Sequence, residues 1–139
     1  MITRVNHIGI VVKDIEQALI PYREALGLRA TDIEYIEDFN VRVVFIPVGD
    51  TRIELVQPVG ESGELIDFIE KTGGGLHHIA LEVDKIDQTL RDTESFGIPL
   101  KDKVPRPGAH NTIVAFARPE GFDNALMEFV QPLQKSEEA

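Results

Sequence analysis

Residues 7–19 read HIGIVVKDIEQAL, and residues 78–90 read HIALEVDKIDQTL. At an offset of 71, His, Ile, Val, Ile, Gln and Leu fall at matching places. A second pair closes each half: IELVQP over 53–58 and MEFVQP over 127–132, at an offset of 74. The extra residues fit a longer turn, GFDN around Gly121, where the first half has only Gly49 and Asp50. Opening and closing motifs recur in the same order, which is the mark of a duplicated module.

Each copy reads alike at the level of elements. Residues 5–12 and 78–83 are short, β-branched-rich runs that predict strands. A helix follows each. In the first copy Asp14 caps it with Gln17 three residues on, and Ile15, Ala18, Leu19, Tyr22 and Leu26 form the apolar face before Gly27 ends it. Pro21 lies inside that helix, where its ring displaces a hydrogen bond at roughly 3 kcal/mol, so a kink or early end is expected there. In the second copy Ile86, Leu90 and Phe96 make the stripe and Gly97 stops it. Strand-like segments follow at 41–48, 51–57, 112–117 and 125–131. Between the halves, 62–71 reads as a short linking helix with Leu65, Ile66, Phe68 and Ile69 on its apolar face, released by Gly73-Gly74-Gly75.

At 139 residues the chain is long enough for one compact domain and too short for two independent ones. The expected organisation is a single domain over 1–139: module 1–60, linking helix 61–75, module 76–132 and a mobile tail 133–139. A formal charge of −10 argues against general nucleic-acid binding, which needs clustered Lys and Arg. A local exception lies at 101–118, where Lys101, Lys103, Arg106 and Arg118 face one acid, Asp102; solvated surface explains such a cluster as readily as an anion site. The absence of cysteine removes disulfides, thiolate nucleophiles and sulfur-ligated metals. The amino terminus is neither signal peptide nor membrane span, so a cytoplasmic protein is expected.

Side chains alternate across a strand, and the closing motifs can be read accordingly. Ile53 and Leu55 share one face, leaving Glu54 on the other; Met127 and Phe129 likewise leave Glu128 opposite. His7 shares its face with Val5, Gly9 and Val11, and His78 repeats the arrangement. If the two halves pair about an approximate twofold, two imidazoles and two carboxylates converge. Burying two carboxylates uncompensated is costly, and each would rather take up a proton; a bound dication removes the problem. His7, Glu54, His78 and Glu128 make a nitrogen and oxygen set suited to a six-coordinate divalent transition metal such as Co, Ni, Mn or Zn, with two positions open. A lone His in an apolar strand is usually a core residue and a lone Glu usually faces solvent. Recurrence at equivalent positions is what lifts the set above that. His77, by alternation, faces away from His78, matches Asn6 and is expected to be structural.

With NHIGIVVKDIEQAL, YREALGL, VVFIPVGDTRIELVQP, GGGLHHIALEVDKID, PRPGAHNTIVAFARPEG and NALMEFVQP on the page, the chain resembles the vicinal oxygen chelate superfamily, and within it the methylmalonyl-CoA epimerases. The resemblance implies an α+β fold of two tandem βαβββ modules forming a cup-shaped mixed sheet with helices outside, and one divalent metal ion on the His/Glu/His/Glu set. It also implies proton removal and return at the carbon between a thioester and a carboxylate, an acyl-CoA substrate and a homodimer. Glu128 matches the family's terminal glutamate, ligand and base. Some epimerases carry a second catalytic glutamate where this chain has Val43. Either Glu54, standing where those enzymes have glutamine, takes that role, or one base serves, or Glu37 and Asp38 reach in. Gly108, Ala109, His110 and Asn111 match a loop bordering the family's active site, so His110, with Lys101 and Arg106, is a candidate substrate contact. Arg118-Pro119-Glu120 and Asn124-Ala125-Leu126 depart from the family's usual His-Pro-Lys and Gly-Val-Leu. The rival readings are a glyoxalase I-type lactoylglutathione lyase and a non-enzymatic small-molecule-binding protein of the same fold.

Overall fold

A computed structural model describes residues 1–133, so the expectation of a mobile tail falls, over 134–139, outside the described residues. The fold is α+β, and each half runs strand, helix, three strands. The first module comprises β1 (Ile2–Val11), α1 (Ile15–Ile20), β2 (Glu34–Ile36), β3 (Val41–Val48) and β4 (Thr51–Pro58). A linking helix, α2 (Glu64–Thr72), precedes β5 (Gly75–Val83), α3 (Ile86–Phe96), β6 (Arg106–Gly108), β7 (Thr112–Ala117) and β8 (Leu126–Pro132). The chain divides into two compact units, His7–His78 and Met1–Asn6 with Ile79–Ala139.

In the first of these units the strands run β2–β3–β4–β1, antiparallel except for the parallel pair β1 and β4, whose register sets His7 beside Arg52 and Gly9 beside Glu54. Its core is Ile15 and Leu19 of α1 against Val44, Ile46 and Leu55, with Ile10, Val12 and Ile53 packed alongside. Each fully buried aliphatic side chain there contributes about 1.5–3 kcal/mol. The other unit orders its strands β5–β8–β7–β6, and Val83, Ile86, Leu90, Ala115, Ala117 and Phe129 form its core.

The closing VQP motif recurs for a physical reason. Helix termini leave backbone N–H groups without intrahelical partners. Gln57 Oε1 accepts the N–H of Ile15 at 3.0 Å, and Gln131 Oε1 accepts that of Ile86 at 2.8 Å. Each module therefore caps its helix from its own last strand. The second helix depends on this, because Lys85 at its N-cap position supplies no side-chain cap.

The structure refines several expectations. Asp14 caps α1 by accepting from Glu16 N–H at 3.1 Å. The α-helix ends at Ile20, and Pro21–Ala25 continues as a wider π turn with Leu26 N–H bonded to Pro21 O at 3.2 Å. This is the break that Pro21 predicts. The wider turn shifts the register, so Leu26 is 63% exposed instead of lying on the apolar face. Phe96 is likewise 84% exposed. It lies six residues beyond Leu90, and at 3.6 residues per turn that is about 240° round the helix, off the buried stripe.

Candidate functional site

Three side chains from three strands meet in the unit His7–His78. Glu54 lies on the face of β4 turned away from Ile53 and Leu55, which pack toward α1. Its Oε1 stands 3.1 Å from His7 Nε2 and 3.3 Å from His78 Nε2, and the two Nε2 atoms are 3.2 Å apart. All three residues are buried, exposing only 4%, 8% and 8% for His7, Glu54 and His78.

Gly9 makes room for this arrangement. A Cβ added there would overlap the His78 ring, with Nδ1 2.5 Å away and Cε1 and Nε2 nearer still. The register that puts Gly9 beside Glu54 thus seats the imidazole next to the carboxylate. Phe45, opposite Glu54 on β3, meets the His7 ring edge-on at 5.4 Å, and Arg52 lays its guanidinium over Phe45 at 4.1 Å. Val43 is buried two residues from Phe45 on the same face of β3. Where the resemblance leads one to look for a second glutamate, the strand carries an aliphatic wall.

Burial by itself pushes the Glu54 carboxyl upward, yet the charge and hydrogen bonding of the His7 and His78 imidazoles outweigh it and hold it well below the usual carboxylate range. It is ionised at neutral pH. One oxygen thus bears negative charge against two imidazole nitrogens in a near-equilateral triangle. Ligand atoms sharing one cation at about 2.0–2.1 Å are roughly 2.8–3.0 Å apart in octahedral geometry and roughly 3.3–3.4 Å apart in tetrahedral geometry. The observed edges of 3.1–3.3 Å lie between these spacings, and hard oxygen with borderline imidazole suits a divalent transition ion. Among the described residues these three form the group able to hold a metal.

The other expected residues lie in the second unit. Glu128 is buried on β8, paired with Phe116 and on the face opposite Met127 and Phe129, which pack with Ile86 and Leu90. Lys101 holds its Nζ 5.9 Å over the Phe116 ring. A glutamate paired with a phenylalanine, with a cation over the ring, is therefore built twice: Glu54, Phe45, Arg52 and Glu128, Phe116, Lys101. Arg106 contacts Asp102 at 3.5 Å, Lys103 pairs with Glu94 at 3.4 Å, and Arg118 pairs with Glu120 at 3.0 Å. Three of the four 101–118 cations thus face local acids, and Lys101 lies over an aromatic ring. His110 is exposed in the turn between β6 and β7 with φ of 55°, as is Asn111 with 58°.

Sequence reasoning passes over Gly9, Arg52, Phe45 and the local role of His77. A glycine inside a strand run is a signal for close approach by another group, and Gly9 carried it. The ring contacts of Arg52 and Phe45 have no one-dimensional signature. Nor does alternation foresee that His77 Nδ1 lies 2.9 Å from Nδ1 of His78.

The chain has relatives among known proteins. Residues 6–116 match the Glyoxalase/Bleomycin resistance protein/Dioxygenase superfamily. The chain is 39% identical over 134 residues to an ethylmalonyl-CoA/methylmalonyl-CoA epimerase of Cereibacter sphaeroides, covering 94% of this chain and 99% of that one. The solved methylmalonyl-CoA epimerase of Mycobacterium tuberculosis superposes with a TM-score of 0.92 at 29% identity, over 99% of this chain and 93% of that one. A methylmalonyl-CoA epimerase solved with methylmalonyl-CoA and an ammonium ion superposes at 0.89 with 26% identity, over 95% and 96%.

Proposed function

Because the chain belongs to the Glyoxalase/Bleomycin resistance protein/Dioxygenase superfamily as an epimerase-type enzyme, we propose that it epimerises a short branched acyl-CoA, methylmalonyl-CoA foremost, with one divalent metal ion. The observation that carries this reading is the buried triangle of His7 Nε2, His78 Nε2 and Glu54 Oε1, with Glu128 proposed as fourth ligand. The substrate class is supported by the names of the relatives, one of them solved with methylmalonyl-CoA.

A divalent ion held by these residues would supply Lewis-acid polarisation, which would ease loss of the substrate's α-proton. The protein's own groups do the rest. His7 and His78 offer neutral nitrogen lone pairs, and Glu54 brings charge that offsets the cation. Phe45 and Val43 close that face of β3 against water, which strengthens every electrostatic interaction there. Inversion needs acid–base groups that can take the α-proton and return one to the other side. Glu128 is assigned the first of these roles. Val43 has no proton to exchange, so the second falls to Glu54, already in its base form. Lys101 and Arg106 would meet the anionic parts of the acyl-CoA, His110 the acyl end. We take the working assembly to be a cytoplasmic homodimer, each chain one domain of two modules; sedimentation as a monomer would remove the dimer from the proposal.

The test is α-proton exchange in deuterium oxide. Cobalt-loaded protein should wash deuterium into methylmalonyl-CoA, and Glu128→Gln should slow this by about 10²–10⁴-fold, the usual share of a positioned acid–base group. Glu54→Gln should lose exchange together with metal affinity. No exchange by the metal-loaded wild type, or full exchange by Glu128→Gln, rejects the assignment.

A further inference from the structure

His78 has two ring nitrogens with different neighbours. Nε2 points at Glu54 and His7, and Nδ1 lies 2.9 Å from Nδ1 of His77. Two imidazole nitrogens at that separation must hold one proton between them, since two lone pairs would repel and two N–H groups would collide. Only one placement serves the metal reading above. If His77 Nδ1 carried the proton, His78 would accept on Nδ1, hold its own proton on Nε2, and have no lone pair for a cation. If His78 Nδ1–H donates and His77 accepts, the Nε2 lone pair is open.

We propose that His77 is a positioning residue for the metal centre: its Nδ1 accepts from His78 Nδ1–H and so fixes the tautomer and ring orientation of His78, while Phe68 of the linking helix clamps the His77 ring. Phe68 meets that ring edge-on, with centroids 5.1 Å apart at 83°, and the His77 and His78 rings stand at 87°. Gly9 bounds the His78 ring from another side. The ring thus has a floor at Gly9 and an acceptor at His77, and α2 gains a function beyond joining the modules. Metal-bound histidines generally donate their second N–H to a fixed partner, and losing that partner typically weakens metal binding about 10–100-fold. Asn6 stands at the matching position of the first module, and its amide donates to Glu82 Oε1 at 2.8 Å.

The inference rests on the metal reading, and the experiment separates them. Zn²⁺ is titrated calorimetrically into full-length wild type, His77→Phe and His77→Asn, and the imidazole ¹⁵N shifts of the zinc-loaded wild type are recorded. Phenylalanine keeps the ring against Phe68 and loses the acceptor; the asparagine carbonyl oxygen stands close to where Nδ1 was. His77→Phe should bind Zn²⁺ about 10–100-fold more weakly, His77→Asn within about threefold of wild type, and His78 should show the Nδ1–H tautomer. Equal affinity in His77→Phe overturns the positioning role while leaving the metal centre standing. Asparagine as weak as phenylalanine in a folded variant, or an Nε2–H tautomer at His78, also overturns it. A wild type with no Zn²⁺ affinity ends both readings.

Discussion

Gly9→Ala isolates the space needed by one imidazole. The backbone of Gly9 is ordinary β, with no positive φ, so alanine is conformationally allowed. In an open strand position the change would favour the folded state by about 0.4–1 kcal/mol, because it reduces the freedom of the unfolded chain. Here the new methyl would sit 2.5 Å from His78 Nδ1, and ordinary contact begins at 3.4 Å. The ring must retreat by about 0.9 Å at that atom and further at Nε2, against the roughly 0.2 Å within which ligand distances must hold. Overpacking of this kind costs about 1–3 kcal/mol. The metal-free variant should therefore lose stability and not gain it. The larger effect falls on the ion. At a Zn²⁺ concentration 100 times the wild-type Kd, binding stabilises the wild type by about 2.7 kcal/mol; with affinity 100-fold weaker the gain drops to about 0.4 kcal/mol. Thermal unfolding with and without Zn²⁺ measures both quantities. If Gly9→Ala is as stable as wild type and is stabilised equally by Zn²⁺, then His78 does not occupy the space above Gly9, and the three-ligand geometry is wrong.

Two other contacts give measurable outcomes. Gln131→Leu removes the acceptor for Ile86 N–H and should cost about 1 kcal/mol, a fall in Tm of roughly 3 °C, with metal affinity unchanged; calorimetric unfolding reads this directly. The Arg42 guanidinium, 2.7 Å from Glu16, holds that carboxyl down at about 2 from an ordinary 4.5. A depressed carboxylate contributes stability that is complete above its unfolded pKa and is lost as pH falls through its folded one. NMR titration should place the Glu16 midpoint near 2, and Arg42→Met should return it toward 4.5; a Glu16 midpoint unaffected by the substitution would show that the pair is not formed in solution.

How much of this was legible in one dimension follows from the kind of physics involved. Strand periodicity is local, so the faces of Glu54 and Glu128 could be read from IELVQP and MEFVQP, and the helix break at Pro21 from proline's missing N–H. The duplication singled out His7 and His78 because no local pattern repeats such a histidine by accident in that context. The surface position of Phe96 shows the limit of reading apolar residues without counting the helical angle, and that of Leu26 shows how a π turn shifts the register. The doubled Glu–Phe–cation arrangement needed the pairing register, because Phe45 and Phe116 reach their glutamates only across neighbouring strands.

The sequence by itself determined the repeat, the α+β class, the nitrogen and oxygen character of any metal set, and which histidines and carboxylates to watch, since each of these is carried by residue identity and spacing. Tertiary structure alone decided that His7, Glu54 and His78 stand within 3.1–3.3 Å of one another, that Gly9 is the floor beneath an imidazole, that Gln57 and Gln131 cap helices far away in the chain, and that His77 faces its neighbour's Nδ1. Those are relations between atoms separated by as many as 71 residues, set by strand register and ring orientation, and no local rule of propensity or alternation encodes them.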